Sequence, residues 1–227
     1  MKKKELSKES RRAGFYWIED MPYASVTHIL RCIDKPSLRY WYGKQVFLAM
    51  AKDPTLDESQ ALAMPYQRRE EAKSRGQTIH SIIEAYKKEG IILKDIPEKF
   101  HGFAKAFYSW IKDNNIDILS QEKTIVSNKY RYAGTLDLLV KMNGNSDVWI
   151  VDVKTGNAIY PETTLQLSAY KHAYEETGGK VDRIAALLLQ EGGQYKFEIC
   201  QPDIEVFLAC QKLWTWMNKD LCKEVGY

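Results

Sequence analysis

The chain is poor in cysteine and has no long apolar run. Cys32, Cys200, Cys210 and Cys222 are its four cysteines, and no two of them form a CxxC pair, which excludes a zinc ribbon. A run of about 18 apolar residues, as a helical membrane span needs, occurs nowhere, so no membrane contact is expected. Charge of one sign is missing too: 33 Lys and Arg against 30 Asp and Glu leave a formal +3. That balance permits a nucleic-acid partner without arguing for one. There is no internal repeat and no low-complexity tract of the kind that marks disorder. The opening "MKKKELSKESRR" is basic but lacks the apolar centre of a signal peptide, and the expected setting is cytoplasmic.

What is present suits one generous domain with helical elaborations: 227 residues, 44% hydrophobic and 12% aromatic. Residues 1–22 read as a loose basic arm. "YASVTHIL" reads as a short strand or turn leading into a helix, and "KPSLRYWYGKQVFLAMA" starts a helix with Pro36 in its first turn. "TLDESQALA" and "YQRREEAKSRGQTIHSIIEAYKKEG" read as two further helices, the second with Ile79, Ile82, Ile83 and Tyr86 on its apolar face and Gly90 as its stop. "EKFHGFAKAFYSWIKDN" spaces Phe100, Phe103, Phe107 and Trp110 along one helical stripe. "ILSQEKTIVSN", "RYAGTLDLLVKM" and "DVWIVDVKTG" then read as strands, the last two joined by the hairpin signal "NGNS". A helix ("PETTLQLSAYKHAYEETGG"), two strands ("RIAALLLQ", "QYKFEIC") and a final helix follow. This order implies an α/β fold on a small mixed sheet flanked by helices. Residues 1–22 form the arm, 23–115 a helical region and 116–227 the sheet-bearing core, the last two making one domain.

The stretch "IVDVKTG", residues 150–156, carries the chemistry. Strand alternation puts Val148, Ile150, Asp152 and Lys154 on one face, with Asp152 and Lys154 roughly 7 Å apart along the backbone. A carboxylate at the end of an apolar strand must be paired or bound to a cation. Asp137, in "GTLD" on the preceding strand, can sit opposite Asp152 across the hairpin. Two carboxylates so close repel, and a divalent cation relieves them. Against this stands the ordinary reading, in which Asp152 and Lys154 form a surface ion pair worth roughly 0–1 kcal/mol.

"GTLD", fourteen residues and then "DVK" resembles the active-site signature of the PD-(D/E)XK nuclease superfamily. "RGQTIHSIIE" is similar to the G-x-x-x-H-x-x-x-E helix of its RecB-like exonuclease branch, and "QLSAY" to the Q-x-x-x-Y helix that follows. The resemblance runs from about Arg75 to Tyr170. "ASVTHIL" with "KPSLRYW" further resembles the N-terminal part of phage exonucleases and of the mitochondrial genome maintenance exonuclease.

The resemblance implies a restriction-endonuclease-like core and a metal-dependent DNA exonuclease acting in replication, recombination or repair. It implies metal ligation by His80, Asp137, Asp152 and the Val153 carbonyl, with Asp137, Asp152 and Lys154 as the catalytic group and Lys154 orienting the attacking water. Gln166, Tyr170, Thr155, Glu84 and Arg75 would position DNA or support the site, while the role of Glu122 stays open. Mg²⁺ suits the oxygen ligands and the histidine admits Mn²⁺. Some relatives hold an iron–sulfur cluster on one early and three late cysteines. Here the late three are spaced nine and eleven residues apart, looser than usual cluster loops, and no cluster is expected. The partner is DNA with a free end, and an oligomer or accessory protein is compatible with the sequence.

Other readings of the same residues remain open. His80 could be a packing histidine, Glu84 could pair with Lys87 or Lys88, and Gln166 with Tyr170 could simply cap the sheet. The run Arg68, Arg69, Lys73 and Arg75 could contact phosphates or form a solvated face with Glu70 and Glu71. A structure-specific endonuclease and a non-catalytic DNA-binding subunit are the competing functions.

Overall fold

Alternating strands and striped helices can bury their apolar faces only against one another. In the computed structural model, which describes residues 14–86 and 93–227, they do so as helices on both faces of one seven-stranded mixed sheet. The strands are β1 (Phe15–Ile18), β2 (Met21–Ser25), β3 (Asp117–Ser127), β4 (Tyr132–Lys141), β5 (Val148–Lys154), β6 (Arg183–Leu189) and β7 (Tyr195–Cys200). Seven α-helices are seen among the described residues: α1 (Val26–Ile29), α2 (Pro36–Lys52), α3 (Glu58–Glu84), α4 (His101–Asp113), α5 (Pro161–Glu176), α6 (Ile204–Met217) and α7 (Lys219–Val225). None is long and apolar enough to cross a membrane.

The strand order is β1-β2-β4-β5-β6-β7, with β3 paired to β4 on its other edge. β2–β4 and β5–β6 are parallel and the remaining pairs antiparallel. This is the mixed sheet flanked by helices that the order of elements implied. Alternation along β5 and β6 divides two cores. Ile150, Ile184 and Ala186 pack with Leu167 and Tyr170 of α5 and Phe207 of α6. Val151, Val153, Ala185 and Leu187 pack with Phe107 and Trp110 of α4 and Ile79 and Ile83 of α3.

Three elements differ from the sequence reading. Residues 15–25, in part assigned to the loose arm, form the β1–β2 hairpin. Its turn residues Glu19 and Asp20 take φ of 50° and 66°, the left-handed pair that Asn-Gly normally supplies, so the turn carries no sequence signal. The turn after β4 uses the same conformations at Asn143 and Gly144 (55° and 71°), and there the signal is plain. The two helices expected on either side of Pro65 are one helix of 27 residues. An interior proline costs about 3 kcal/mol, but Pro65 is buried, and α3 is tied to α2 by the Arg68–Gln45 hydrogen bond and the Tyr42–Tyr66 ring contact. A capping box between Asp57 and Gln60 starts the helix. It ends at Glu84, before the expected stop Gly90, which lies outside the described residues together with Lys87, Lys88 and residues 1–13.

Candidate active site

The site lies at a fork in the sheet. β3 occupies one edge of β4 throughout, while the other edge is shared. β2 pairs there at Tyr132 and Ala133, and β5 at Leu138–Lys141. Gly134 to Asp137 lie between, where that edge has no strand partner. The register Leu138↔Val151 makes Asp137 and Asp152 the next pair, where the ladder stops.

At the fork a side chain replaces the missing ladder bond. Val153 donates its backbone N–H to Asp137 Oδ2 at 2.6 Å. The N–H and C=O of one strand residue turn to the same edge, so the Val153 carbonyl faces the fork as well. Opposite Asp137 on β3, Glu122 takes φ 45°, a left-handed conformation uncommon for a side-chain-bearing residue. Glu122 Oε1 lies 3.4 Å from His80 Nδ1, which is 3.6 Å from Asp137 Oδ1. His80 reaches this point from the end of α3, anchored by buried Ile79 and Ile83 and by the bond from Gln121 Nε2 to the Ile83 carbonyl at 2.8 Å.

The other half of the site is a closed polar network. Asp152, 1% exposed, meets Lys154 Nζ through Oδ2 at 2.7 Å. Its Oδ1 accepts from Gln166 Nε2 at 2.8 Å. Gln166 also accepts from Lys154 Nζ at 3.3 Å and donates to the Tyr170 hydroxyl at 3.0 Å. Gln166 and Tyr170 reach together because residues four apart share a helix face. Gly134 makes room for the tyrosine: a Cβ there would lie 2.5 Å from Tyr170 Cε1.

Electrostatics follow from the composition of the cleft. Three carboxylates (Glu122, Asp137 and Asp152) share the cleft with Lys73, Arg75 and Lys154; of these cations only Lys154 is ion-paired to one of them among the described residues, while Lys73 pairs with Glu70 at 3.5 Å. Burial, and then the Asp152 charge, push the Asp137 carboxyl up to about 7, although His80, Lys154 and the Val153 N–H oppose this. Burial pulls the Lys154 ammonium down, but Asp152, Asp137 and Glu162 together outweigh it and the net shift is upward. Burial, reinforced by Asp152 and Asp137, keeps Tyr170 a neutral phenol.

His80, Asp137, Asp152, Val153, Lys154, Thr155, Gln166, Tyr170 and Arg75 all line this one cleft of about 540 Å³. Glu84 does not: one turn beyond His80, at the last residue of α3, it is exposed and lies past the cleft. The candidate ligand set also differs from the expected one. His80, Glu122 and Asp137 each place a donor atom within 4.8 Å of the other two, whereas both oxygens of Asp152 are engaged by Lys154 and Gln166. The fit to a divalent cation is good: an imidazole and two carboxylates are suitable donors, and neither Glu122 nor Asp137 has a lysine or arginine at ion-pair distance among the described residues. Sequence reasoning missed Tyr16, whose hydroxyl lies 3.4 Å from Thr135 Oγ1 at the cleft wall; it rides on the hairpin that carries no turn signal.

No family profile and no curated protein matches the sequence. Among solved structures, the chain is similar to an alkaline exonuclease from Laribacter hongkongensis. The TM-score is 0.48 at 12% identity, covering 97% of this chain and 95% of that one. It is likewise similar to the same exonuclease in complex with dAMP, at TM-score 0.46 and 12% identity, with 90% of each chain covered.

Proposed function

We propose that this chain is a metal-dependent DNA exonuclease, cytoplasmic, serving phage or bacterial-type DNA replication, recombination or repair. The observation that carries the reading is the juxtaposition, at the fork of β4, of the His80–Glu122–Asp137 donor group with the Asp152–Lys154 pair. His80, Asp137 and Glu122 would hold the ion, with Asp152 and the Val153 carbonyl beside them. Residues 23–115 supply His80 and residues 116–227 the rest, so the two work as one domain.

Bound there, Mg²⁺ or Mn²⁺ would lower the pKa of water and offset the charge of the scissile phosphate. The protein's own contribution is positioning. Lys154, held by Asp152 and Gln166, presents an ammonium that can orient the attacking water and hydrogen-bond a phosphate oxygen as charge builds on it. Gln166 fixes both partners of that pair, and Tyr170 fixes Gln166. The Asp137 carboxylate, bonded to the Val153 N–H, keeps its second oxygen towards His80. Thr155 and Arg75, at the rim, would hold the strand. A second copy or accessory protein is compatible with this reading.

The test is incubation of end-labelled linear DNA and circular DNA with Mg²⁺ or Mn²⁺. Linear DNA is expected to shorten, circular DNA to survive and EDTA to stop the reaction. Lys154→Ala is expected to lower the rate at least about 10²–10³-fold with the far-UV spectrum unchanged. Cleavage of circular DNA would indicate an endonuclease instead. Undiminished cleavage by Lys154→Ala would remove the role given to the ammonium.

A further inference from the structure

We propose that the groove between α2, α3 and the segment leading into α5 carries an unpaired DNA strand to the cleft, with Arg75 gripping a phosphate where the two meet. This rests on the nuclease reading and adds the strandedness of the substrate. The groove, about 1610 Å³, is larger than the cleft and continuous with it through the shared lining residues Ala72, Arg75 and Gly156.

Charge favours a polyanion. Lys44, Arg68, Arg69 and Arg75 line the groove, and none meets a carboxylate within salt-bridge distance among the described residues. Arg68 donates to the Gln45 side chain at 2.5 Å and Arg69 to the Tyr42 hydroxyl at 3.3 Å; both partners are neutral and leave the cations uncompensated. Three of the four acids lining the groove are occupied, Glu71 being the exception among the described residues. Glu162 is held by Lys35 at 2.6 Å, Asp34 by Arg39 at 2.7 Å, and Asp203 caps α6 by accepting the Val206 N–H at 3.1 Å. At the junction, Arg75 Nε is buried without a hydrogen-bond partner. A buried guanidinium N–H without an acceptor, on a side chain that is otherwise partly exposed, is a site for a phosphate oxygen.

Aromatic side chains favour an unpaired strand over a duplex. Tyr40 is 75% exposed, and Trp41 and Tyr160 line the same groove. Exposed rings beside a basic track are stacking platforms for bases, and a duplex has already stacked its bases on each other.

Fluorescence anisotropy of the full chain in EDTA tests this without hydrolysis, using a labelled oligothymidine and a labelled duplex of equal length. The single strand is expected to bind at least about ten-fold tighter. Tyr40→Ala with Tyr160→Ala is expected to weaken it by about ten-fold or more, while the corresponding Phe variants retain affinity. Arg75→Gln should lower the slope of log affinity against log salt by about one. Phe47→Ala, on α2 but outside the groove, should bind as wild type and controls for general damage to the helix. Equal affinity for duplex and strand, or unchanged binding by the folded double Ala variant, would overturn the proposal. Because binding is read without cleavage, an inactive protein that still selects the single strand overturns the nuclease reading alone.

Discussion

The two halves of the cleft satisfy their charges differently. On the β5–α5 side, Asp152, Lys154, Gln166 and Tyr170 complete one another: each charged atom has a partner within 3.3 Å supplied by the protein. On the β3–β4–α3 side, Glu122, Asp137 and His80 converge at 3.4–3.6 Å, and no lysine or arginine is ion-paired to these carboxylates among the described residues. A closed network holds its shape before any ligand arrives, and an open one whose carboxylates lack an ion-paired lysine or arginine awaits positive charge. The contrast assigns preorganisation to the first half and cation capture to the second.

The largest effects should separate the halves. Asp137→Asn is expected to abolish measurable Mn²⁺ binding in calorimetry along with cleavage. Lys154→Met should keep metal affinity within a few-fold while losing at least about 10²–10³-fold in rate. Loss of metal binding by both variants would erase the distinction. Next in size, Glu122→Gln should weaken metal binding about 10-fold or more, since it removes one carboxylate from the donor group. Unchanged affinity there would return the ligand role to Asp152.

A smaller effect is expected from the closed half. Gly134→Ala places a methyl against the ring of buried Tyr170, whose hydroxyl is bonded to Gln166. Overpacking of this kind costs about 1–3 kcal/mol. Thermal denaturation should register that loss, and the rate should fall about ten-fold as Gln166 and Lys154 shift. The metal affinity should not follow. A parallel drop in affinity would mean the two halves move as one.

What the sequence could reveal follows the same division. Asp152 and Lys154 on one strand face, and Asp137 across from Asp152, are consequences of period-two alternation and an Asn-Gly hairpin, both local and both legible. Gln166 and Tyr170 share a helix face by spacing alone. Glu122 was not legible as a neighbour of His80, because its approach depends on one left-handed residue inside a strand, and nothing in "SQEKT" signals that. Tyr16 depends on a turn built from Glu19 and Asp20, residues that seldom take positive φ. The two helices read on either side of Pro65 are one, with the proline buried inside α3. Patterns set by the chain's own period could be read; features decided by tertiary contacts could not.

The last expected effect is on stability alone and belongs to the open half. Burial and the neighbouring Asp152 raise the Asp137 carboxyl from 3.8 to about 7. In EDTA, between about pH 4 and 7, the folded protein therefore holds a proton that the unfolded chain has released. Stability from this group is fully present below pH 4 and is lost as pH rises through about 7. Asp137→Asn keeps the side-chain shape without the titration. Its melting temperature in EDTA should sit level with wild type near pH 4 and clearly above it near pH 8. Saturating Mn²⁺ should raise the wild-type value at pH 8, where the carboxylate is free to bind, and leave the variant unchanged. Identical pH slopes for the two proteins in EDTA would remove the charge imbalance from Asp137, and with it the reason this half of the cleft calls for a cation.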